Sequence, residues 1–358
     1  MVKIYGDTGR DVIVVNNQRM FDEEESINYL NLSGEHLEES EYVQKININY
    51  KGEISSHLKK SYTISIIGLG DVGSNLLLGM KLLGFPTIET INIYDPNIER
   101  ARRYEMEMNQ IYQENFNLNI PINIISEEEI FDSDIVIFTA SKSVPAIGDE
   151  KTDVRNIQFK GNSQIISQYV KKAKAKEFKG LFLVVSDPVD LLCKVVYEES
   201  DGYFLPSQIA GFGQGVMYAR ALYFADKMEI GNFSDEGRIY GPHGSELIVA
   251  NSLTNYDDRL SKKLTRLTVE ANLDIRKLGF KPYIAPALSS GALSILAYLR
   301  GEYTYSSQYI DGYFYGVRSK MTEEGLLIDV GNIPDELMLR INESFDKMVD
   351  YYGENKTD

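Results

Sequence analysis

The sequence predicts an α/β protein: a doubly wound parallel sheet, an α+β C-terminal half that would carry the chemistry, and an extra N-terminal segment. Two observations carry that expectation. From Ser61 to Val185, short apolar runs rich in β-branched residues alternate with stretches of helical length, a pattern that implies right-handed crossovers and a parallel sheet. A glycine-rich turn, Gly68-Leu69-Gly70-Asp71-Val72-Gly73, stands where the first such run hands over to the first helix. The 358 residues suffice for two domains that share an interface. The expected divisions are an N-terminal accessory segment over 1–60, a dinucleotide-binding domain over 61–190 and a substrate domain over 191–358, with the linker near Pro188 to Leu192.

The elements read in order as follows. Before Ser61 the texture is acidic (Asp22 to Ser26, Glu35 to Glu41), with strand-like runs at Asp11 to Val15 and Val43 to Tyr50. No catalytic motif appears there, and the segment reads as a small β layer or an oligomerisation arm. Thr63 to Ile67 is a strand, Ser74 to Leu83 a helix stopped by Gly84 and Pro86, and Thr90 to Tyr94 a strand ending in Asp95. A polar helix follows over Arg100 to Gln113, then strands at Ile120 to Ile125 and Asp134 to Thr139. Ser163 to Lys176 is helical and Gly180 to Val185 a buried strand. Beyond Pro188 come longer helices (Gly215 to Asp226, Asp257 to Leu278, Ser289 to Leu299), strand-like pieces at Gln308 to Val317 and a last helix from Pro334 to Tyr352.

Composition removes several function classes. Apolar residues make up 43% and charged residues 25%, as in ordinary globular proteins. The net charge of −16 repels a phosphate backbone and an anionic membrane surface, so neither is an expected partner. Cys193 is the single cysteine, which excludes an internal disulfide framework and a cysteine-based zinc site; no metal is expected. No run approaches the roughly 20 apolar residues of a bilayer span, and Asp7 and Asp11 spoil any reading of the N-terminus as a secretory signal. A reduced, cytoplasmic protein is the expectation. Of the histidines, His36 and His57 stand among polar residues and read as solvated, whereas His243 lies in a glycine-flanked motif.

The glycine turn gains its meaning from its setting between a strand and a helix. Gly68 permits the tight turn, Gly70 lets a pyrophosphate approach the backbone, Gly73 lets helix and strand pack closely, and the helix N-terminus faces the phosphate charge through the amides around Asp71 and Val72. Asp95, 27 positions after Gly68, ends the next strand, where a carboxylate accepts from ribose hydroxyls and disfavours a 2′-phosphate. NAD is therefore expected, with Arg100, Arg102 and Arg103 keeping NADP open.

From Tyr62 to Met348 the chain resembles the L-lactate/malate dehydrogenase family. Thr139-Ala140 matches the start of the loop that closes on substrate, and Val185-Ser186-Asp187-Pro188-Val189-Asp190 looks like the family's V-S-N-P-V-D. Gly211-Phe212-Gly213 with Ala219-Arg220 is similar to G-x-G…D-x-A-R, Gly241-Pro242-His243-Gly244 to G-E-H-G, and Tyr313 to Leu326 to the closing strands. The resemblance implies a Rossmann-type NAD domain whose cofactor contacts include Gly68, Gly70, Asp71, Val72, Gly73, Asp95, Thr139, Ala140 and Val185. It implies a homodimer or homotetramer acting on a small 2-hydroxy or 2-oxo acid. His243 would be the base, since a neutral imidazole takes a hydroxyl proton near pH 7. Arg220 would hold the substrate carboxylate with its planar fork, Arg155 would polarise the carbonyl, Asn162 would bind substrate, and Ile284 would line the side-chain pocket.

Three departures bear on function. Met217 stands where the family has the aspartate that orients the histidine, and Asp187 where it has an active-site asparagine. Asp187, implied near His243, is thereby a candidate replacement for the missing charge. Thr139 to Arg155 spans 16 positions, a long loop similar to that of L-2-hydroxyisocaproate dehydrogenases, and the specificity position falls on Asp149, which does not resemble malate's arginine. The resulting expectation is an NAD-dependent L-2-hydroxyacid dehydrogenase for a non-acidic side chain. Its rivals are an NAD-binding pseudoenzyme or regulatory protein and an enzyme whose substrate bears an amine that Asp187 pairs. A relation to the NAD-dependent glycosidases is remote, because Ser186-Asp187-Pro188 is not their cysteine-asparagine-proline motif.

Overall fold

A computed structural model describes residues 58–116, 119–142, 154–322, 325–329 and 333–356, together with short strands before residue 48. Those strands, β1 (Tyr5–Asp7), β2 (Arg10–Val15) and β3 (Gln44–Asn47), extend one edge of the main sheet rather than forming a separate layer. His36 and His57 lie outside the described residues.

The centre of the molecule is a parallel sheet of β4 (Tyr62–Ile67), β5 (Ile88–Tyr94), β6 (Ile122–Ile124), β7 (Ile135–Phe138), β8 (Leu181–Val184) and β9 (Ile209–Gly211). Its spatial order is β6-β5-β4-β7-β8-β9, so the chain winds outward from β4, first one way and then the other. That reversal between β4 and β7 opens a crevice at the carboxyl ends of the strands, the place where this class of sheet binds ligands. The crossover helices are α1 (Asp71–Leu83), α2 (Ile98–Asn109), α3 (Val154–Ala175) and α4 (Val189–Glu199). Helices on both sheet faces explain why β7 and β8 are apolar throughout and buried at every position. The parallel sheet runs on past residue 190 through α4 to β9. α3 begins well before Ser163, so Arg155 and Asn162 belong to one helix.

The second half is built from α5 (Gln214–Lys227), α6 (Phe233–Glu236), the hairpin β10 (Arg238–Tyr240) and β11 (Ile248–Ala250), and α7 (Asp258–Lys277). A segment with π-helical winding (Pro286–Leu293) leads into α8 (Ser294–Leu299). The strand-like pieces expected at Gln308 to Val317 are the facing ends of a longer hairpin, β12 (Thr304–Ile310) and β13 (Tyr313–Thr322). It turns at Asp311-Gly312 with φ of 45° and 85°, the left-handed pair that a two-residue turn requires. β14 (Gly325–Asp329) and α9 (Asp335–Asn355) complete the chain. Because Ser307 of β12 pairs with Gly211 of β9, both halves share one continuous sheet.

Two approaches bring the second half onto the crevice. The π-wound segment packs on α1 so closely that a Cβ at Gly79 would sit 2.6 Å from the Ala292 Cβ, and one at Gly291 2.7 Å from Leu76. The His243 loop is tied to β13 by a 2.9 Å bond from the Gly241 amide to the Gly316 carbonyl. Among the described residues, no helix is long and apolar enough to cross a membrane.

Candidate active site

The glycine turn has the geometry of a phosphate cradle. Gly68 adopts φ +93° and abuts Ala140, whose Cα would be 2.8 Å from any added Cβ. A Cβ at Gly73 would fall 2.1 Å from the Gly68 carbonyl, so α1 presses directly on the turn. A Cβ at Gly70 meets nothing within 4 Å, leaving space over the turn, and no side chain caps the α1 N-terminus. The first-turn amides of α1 are thus available to an anion. Thr139 fixes the turn from below, its buried hydroxyl 2.6 Å from the Gly68 carbonyl. Ala140 is held by Ser186, whose hydroxyl donates to its carbonyl at 2.7 Å, and Val185 is buried with its amide on Phe138. Val72 is half-buried and Asp71 is exposed, pairing with Lys281 of the second half at 3.2 Å.

Asp95 ends β5 beside this turn, largely buried. Its carboxylate accepts from the Leu69 amide at 2.8 Å and the Asn97 amide at 2.9 Å, and Arg100 reaches it at 3.2 Å. The acid therefore shapes the turn itself. These features fit a dinucleotide.

At the inner end of the crevice, His243 is held by its own backbone and by one ring nitrogen. Its amide donates to Asp190 Oδ2 at 2.7 Å, and Nδ1 lies 2.8 Å from the Gly213 carbonyl. A carbonyl can only accept, so Nδ1 carries the proton and in the neutral ring Nε2 presents its lone pair. This supplies the orienting contact whose loss was read at Met217. Met217 instead belongs to a satellite core with Val216, Ala221, Phe233, Leu247 and Val249 and is 2% exposed, so its side chain is a packing group.

Asp190 anchors the arrangement. It is 2% exposed and accepts from His243 N–H on Oδ2 and from the Ser307 hydroxyl (2.6 Å) and Gln214 Nε2 (2.8 Å) on Oδ1. The Gly213 carbonyl also accepts from the Ser290 hydroxyl at 2.7 Å. Residue-by-residue reading missed Asp190, Gln214, Ser290 and Ser307. Only Asp190 left a signal, as an acid among apolar residues (Val189-Asp190-Leu191-Leu192) at a helix start.

Asp187 faces the imidazole, its Oδ1 3.7 Å from His243 Nε2 and its side chain 52% exposed. Arg220 stands near Asp187. Burial pulls its guanidinium below the ordinary range while the Asp187 charge opposes that shift. Its Nη1 rests on the Met217 sulfur at 3.4 Å, and among the described residues no carboxylate forms an ion pair with it. The fork is free for a ligand.

Two expected site residues stand elsewhere. Asn162 is fully buried, and its amide is committed to the Lys142 N–H (2.8 Å) and the Asp187 carbonyl (2.7 Å). It fixes the Asp187 backbone and has no exposed surface to offer a ligand. Ile284, expected in a side-chain pocket, is 59% exposed just before the π-wound segment. The segment around Asp149 and the side chain of Arg155 lie outside the described residues. No group of acids, histidines and cysteine that would hold a metal occurs among the described residues.

Residues 62–211 match the family model of the lactate/malate dehydrogenase NAD binding domain. L-lactate dehydrogenase of Clostridium perfringens is 31% identical over 198 residues, 55% of this chain and 59% of that enzyme. The match thus spans less than two thirds of that relative. The Borrelia turicatae L-lactate dehydrogenase is 23% identical over 297 residues, covering 75% of this chain and 89% of the enzyme. Among solved structures, the ligand-bound minor L-lactate dehydrogenase of Enterococcus mundtii superposes with a TM-score of 0.70 at 23% identity, over 84% of this chain and all of that one. Malate dehydrogenase of Archaeoglobus fulgidus in complex with NADH gives 0.67 at 19% identity, over 82% of this chain and all of the other. At such identities the structural likeness establishes the fold.

Proposed function

We propose that the chain is a member of the lactate/malate dehydrogenase family, to whose NAD binding domain residues 62–211 match, and that it is an NAD-dependent oxidoreductase acting between a 2-hydroxy and a 2-oxo acid with a non-acidic side chain. Its cofactor is NAD, held by the turn from Gly68 to Gly73, the α1 amides, Asp95 and Thr139-Ala140. When bound, NAD supplies the hydride acceptor. Everything else falls to this chain's own residues. Arg220 takes the substrate carboxylate in its unpaired fork. His243 Nε2 takes the hydroxyl proton, and the ring charge that develops meets the Asp187 carboxylate at 3.7 Å. Arg155 is assigned to the carbonyl oxygen. The long segment before Arg155 favours branched or longer side chains over pyruvate and oxaloacetate, each buried methylene adding about 0.8 kcal/mol.

The observation that carries the reading is the fixed tautomer of His243, with Asp187 facing its free ring nitrogen and the Arg220 guanidinium near Asp187. It also weighs against a pseudoenzyme, since the Gly213 carbonyl orients the ring and Asp187 supplies a charge in place of the one missing at Met217. We assign the protein to a reducing compartment such as the cytoplasm, and to a homodimer or homotetramer. Leu278, Phe280 and Ile284, 74%, 68% and 59% exposed, make an apolar surface that a second copy would cover, and sedimentation of the full chain checks it. The enzymatic test is NADH oxidation over a panel of 2-oxo acids. His243→Asn should lose about 10²–10⁴-fold in turnover with NADH binding retained. A full rate from this variant, or oxaloacetate as best substrate, would overturn the assignment.

A further inference from the structure

The reacting position is faced by two acceptors. With its proton committed to the Gly213 carbonyl at 2.8 Å, neutral His243 offers only a lone pair at Nε2. Asp187 Oδ1, 3.7 Å away, is an acceptor as well and lies beyond hydrogen-bond length. Neither group satisfies the other. No donor among the described residues bonds to the Asp187 carboxylate; Asn162 reaches only its main-chain carbonyl. Arg220, the nearby cation, has its Nη1 on the Met217 sulfur.

What completes such a site is a ligand with at least two donors on the reacting carbon and an anion beside it. An alcohol brings one O–H and leaves one acceptor unmet. A ketone oxygen brings none: it draws on Arg155 and on Nε2 of a protonated His243 for its donors, and leaves the Asp187 carboxylate facing its lone pairs. An ammonium or iminium nitrogen brings two or more N–H donors and a positive charge, and a neighbouring carboxylate suits Arg220. Resting on the NAD-linked reading above, we propose that the same site also accepts nitrogen on the reacting carbon: it interconverts a 2-amino acid with a 2-oxo acid and ammonia. In the oxidative direction the ammonium gives a proton to His243 Nε2 and the Cα–H bond breaks with its electron pair leaving as hydride to oxidised NAD, so a C=N iminium forms. Water adds to that carbon, the C–N bond breaks and ammonia departs. The sum is 2-amino acid, oxidised NAD and water giving 2-oxo acid, ammonium, NADH and a proton. Asp187 pairs with the nitrogen throughout, and His243 carries the proton.

The test is NADH oxidation by the full chain over aliphatic 2-oxo acids, with isotopically labelled ammonium chloride or an equal concentration of potassium chloride. Ammonium should raise the rate about tenfold or more, the scale of one additional charge-assisted bond, and the label should appear in the amino acid product. Asp187→Asn should lower the ammonium-dependent rate roughly 10- to 150-fold and raise ammonium-independent reduction of the same acid, with NADH titration reporting an intact fold. Equal rates in both salts with a 2-hydroxy acid as product would overturn the proposal and leave the hydroxyacid reading standing. So would an ammonium-dependent rate unchanged in Asp187→Asn. No oxidation in either salt, despite NADH binding, would overturn both readings.

Discussion

Replacing Asp190 by asparagine isolates the contribution of one buried carboxylate to the placement of the base. The side chain is 2% exposed and accepts from the His243 amide, the Ser307 hydroxyl and Gln214 Nε2 at 2.7, 2.6 and 2.8 Å. Asparagine keeps the shape but turns one acceptor into a donor. With its oxygen toward Ser307 and Gln214, its NH2 confronts the His243 N–H. One charge-assisted bond is lost, about 1.5–3 kcal/mol, and a buried donor is left unmet, about 1–3 kcal/mol. Relief of the buried charge offsets part of this, giving a net destabilisation of about 2–3 kcal/mol. The chain lacks tryptophan, so urea unfolding is followed by far-UV circular dichroism, where the midpoint should fall at unchanged slope. Ser307→Ala, which removes a donor and leaves the carboxylate, should cost about 1 kcal/mol. Turnover of Asp190→Asn should drop while NADH affinity holds, because the glycine turn does not touch this residue. An Asp190→Asn protein within about 0.5 kcal/mol of the parent and fully active would refute the reasoning.

Three further outcomes follow. Met217→Leu should cost less than about 1.5 kcal/mol as a volume-conserving core change, whereas Met217→Asp should destabilise by several kcal/mol, about 2–5, and gain no activity; thermal denaturation with turnover checks both. NADH should bind at least about tenfold more tightly than NADPH; Arg100→Gln should widen that gap by exposing the Asp95 charge, and Asp95→Ser should close most of it in fluorescence titrations. Burial pushes the Glu198 carboxyl up, but bonds from Lys356, Tyr352 and Lys194 outweigh it and hold it below the usual carboxylate range. The stability it adds is therefore present above its unfolded value of about 4.3 and is lost as pH falls through the lower folded value. The difference between parent and Glu198→Gln in urea midpoint should be full at neutral pH and vanish in acid.

The first half of the fold was legible because its signals are local. A β-branched run, glycines at fixed spacing and a terminal acid act within thirty or so residues, and period alone separates strand from helix. The β12–β13 hairpin was legible only as strand-like pieces; Asp311-Gly312, a dipeptide with a strong turn preference, was the signal that could have divided them, and the strands are longer than an apolar count suggested because Ser306, Ser307 and Gln308 are polar and buried. The site was legible in its residue types and not in its wiring. Asp190, Gly213, Ser290 and Ser307 meet around His243 from separate elements, and the contact at Gly213 uses a backbone carbonyl that no side chain announces. Asn162 shows the converse: a side chain placed at the substrate by its spacing from Arg155 is held by the main chain around Lys142 and Asp187.

The bonds around the base close on themselves. Asp190 binds the His243 amide, the His243 ring binds the Gly213 carbonyl, the Gly213 amide donates to Gln214 Oε1 at 3.2 Å, and Gln214 returns to Asp190. A closed circuit of four members has no free end at which to begin fraying, so its links open together or not at all. Energies measured by cutting links singly will therefore sum to more than the circuit is worth, since the first cut already releases the rest. The imidazole inherits that behaviour: its orientation is a collective property of α4, α5 and the Gly241 to Gly244 loop, and the geometry of proton transfer is inherited from how those three pieces assemble.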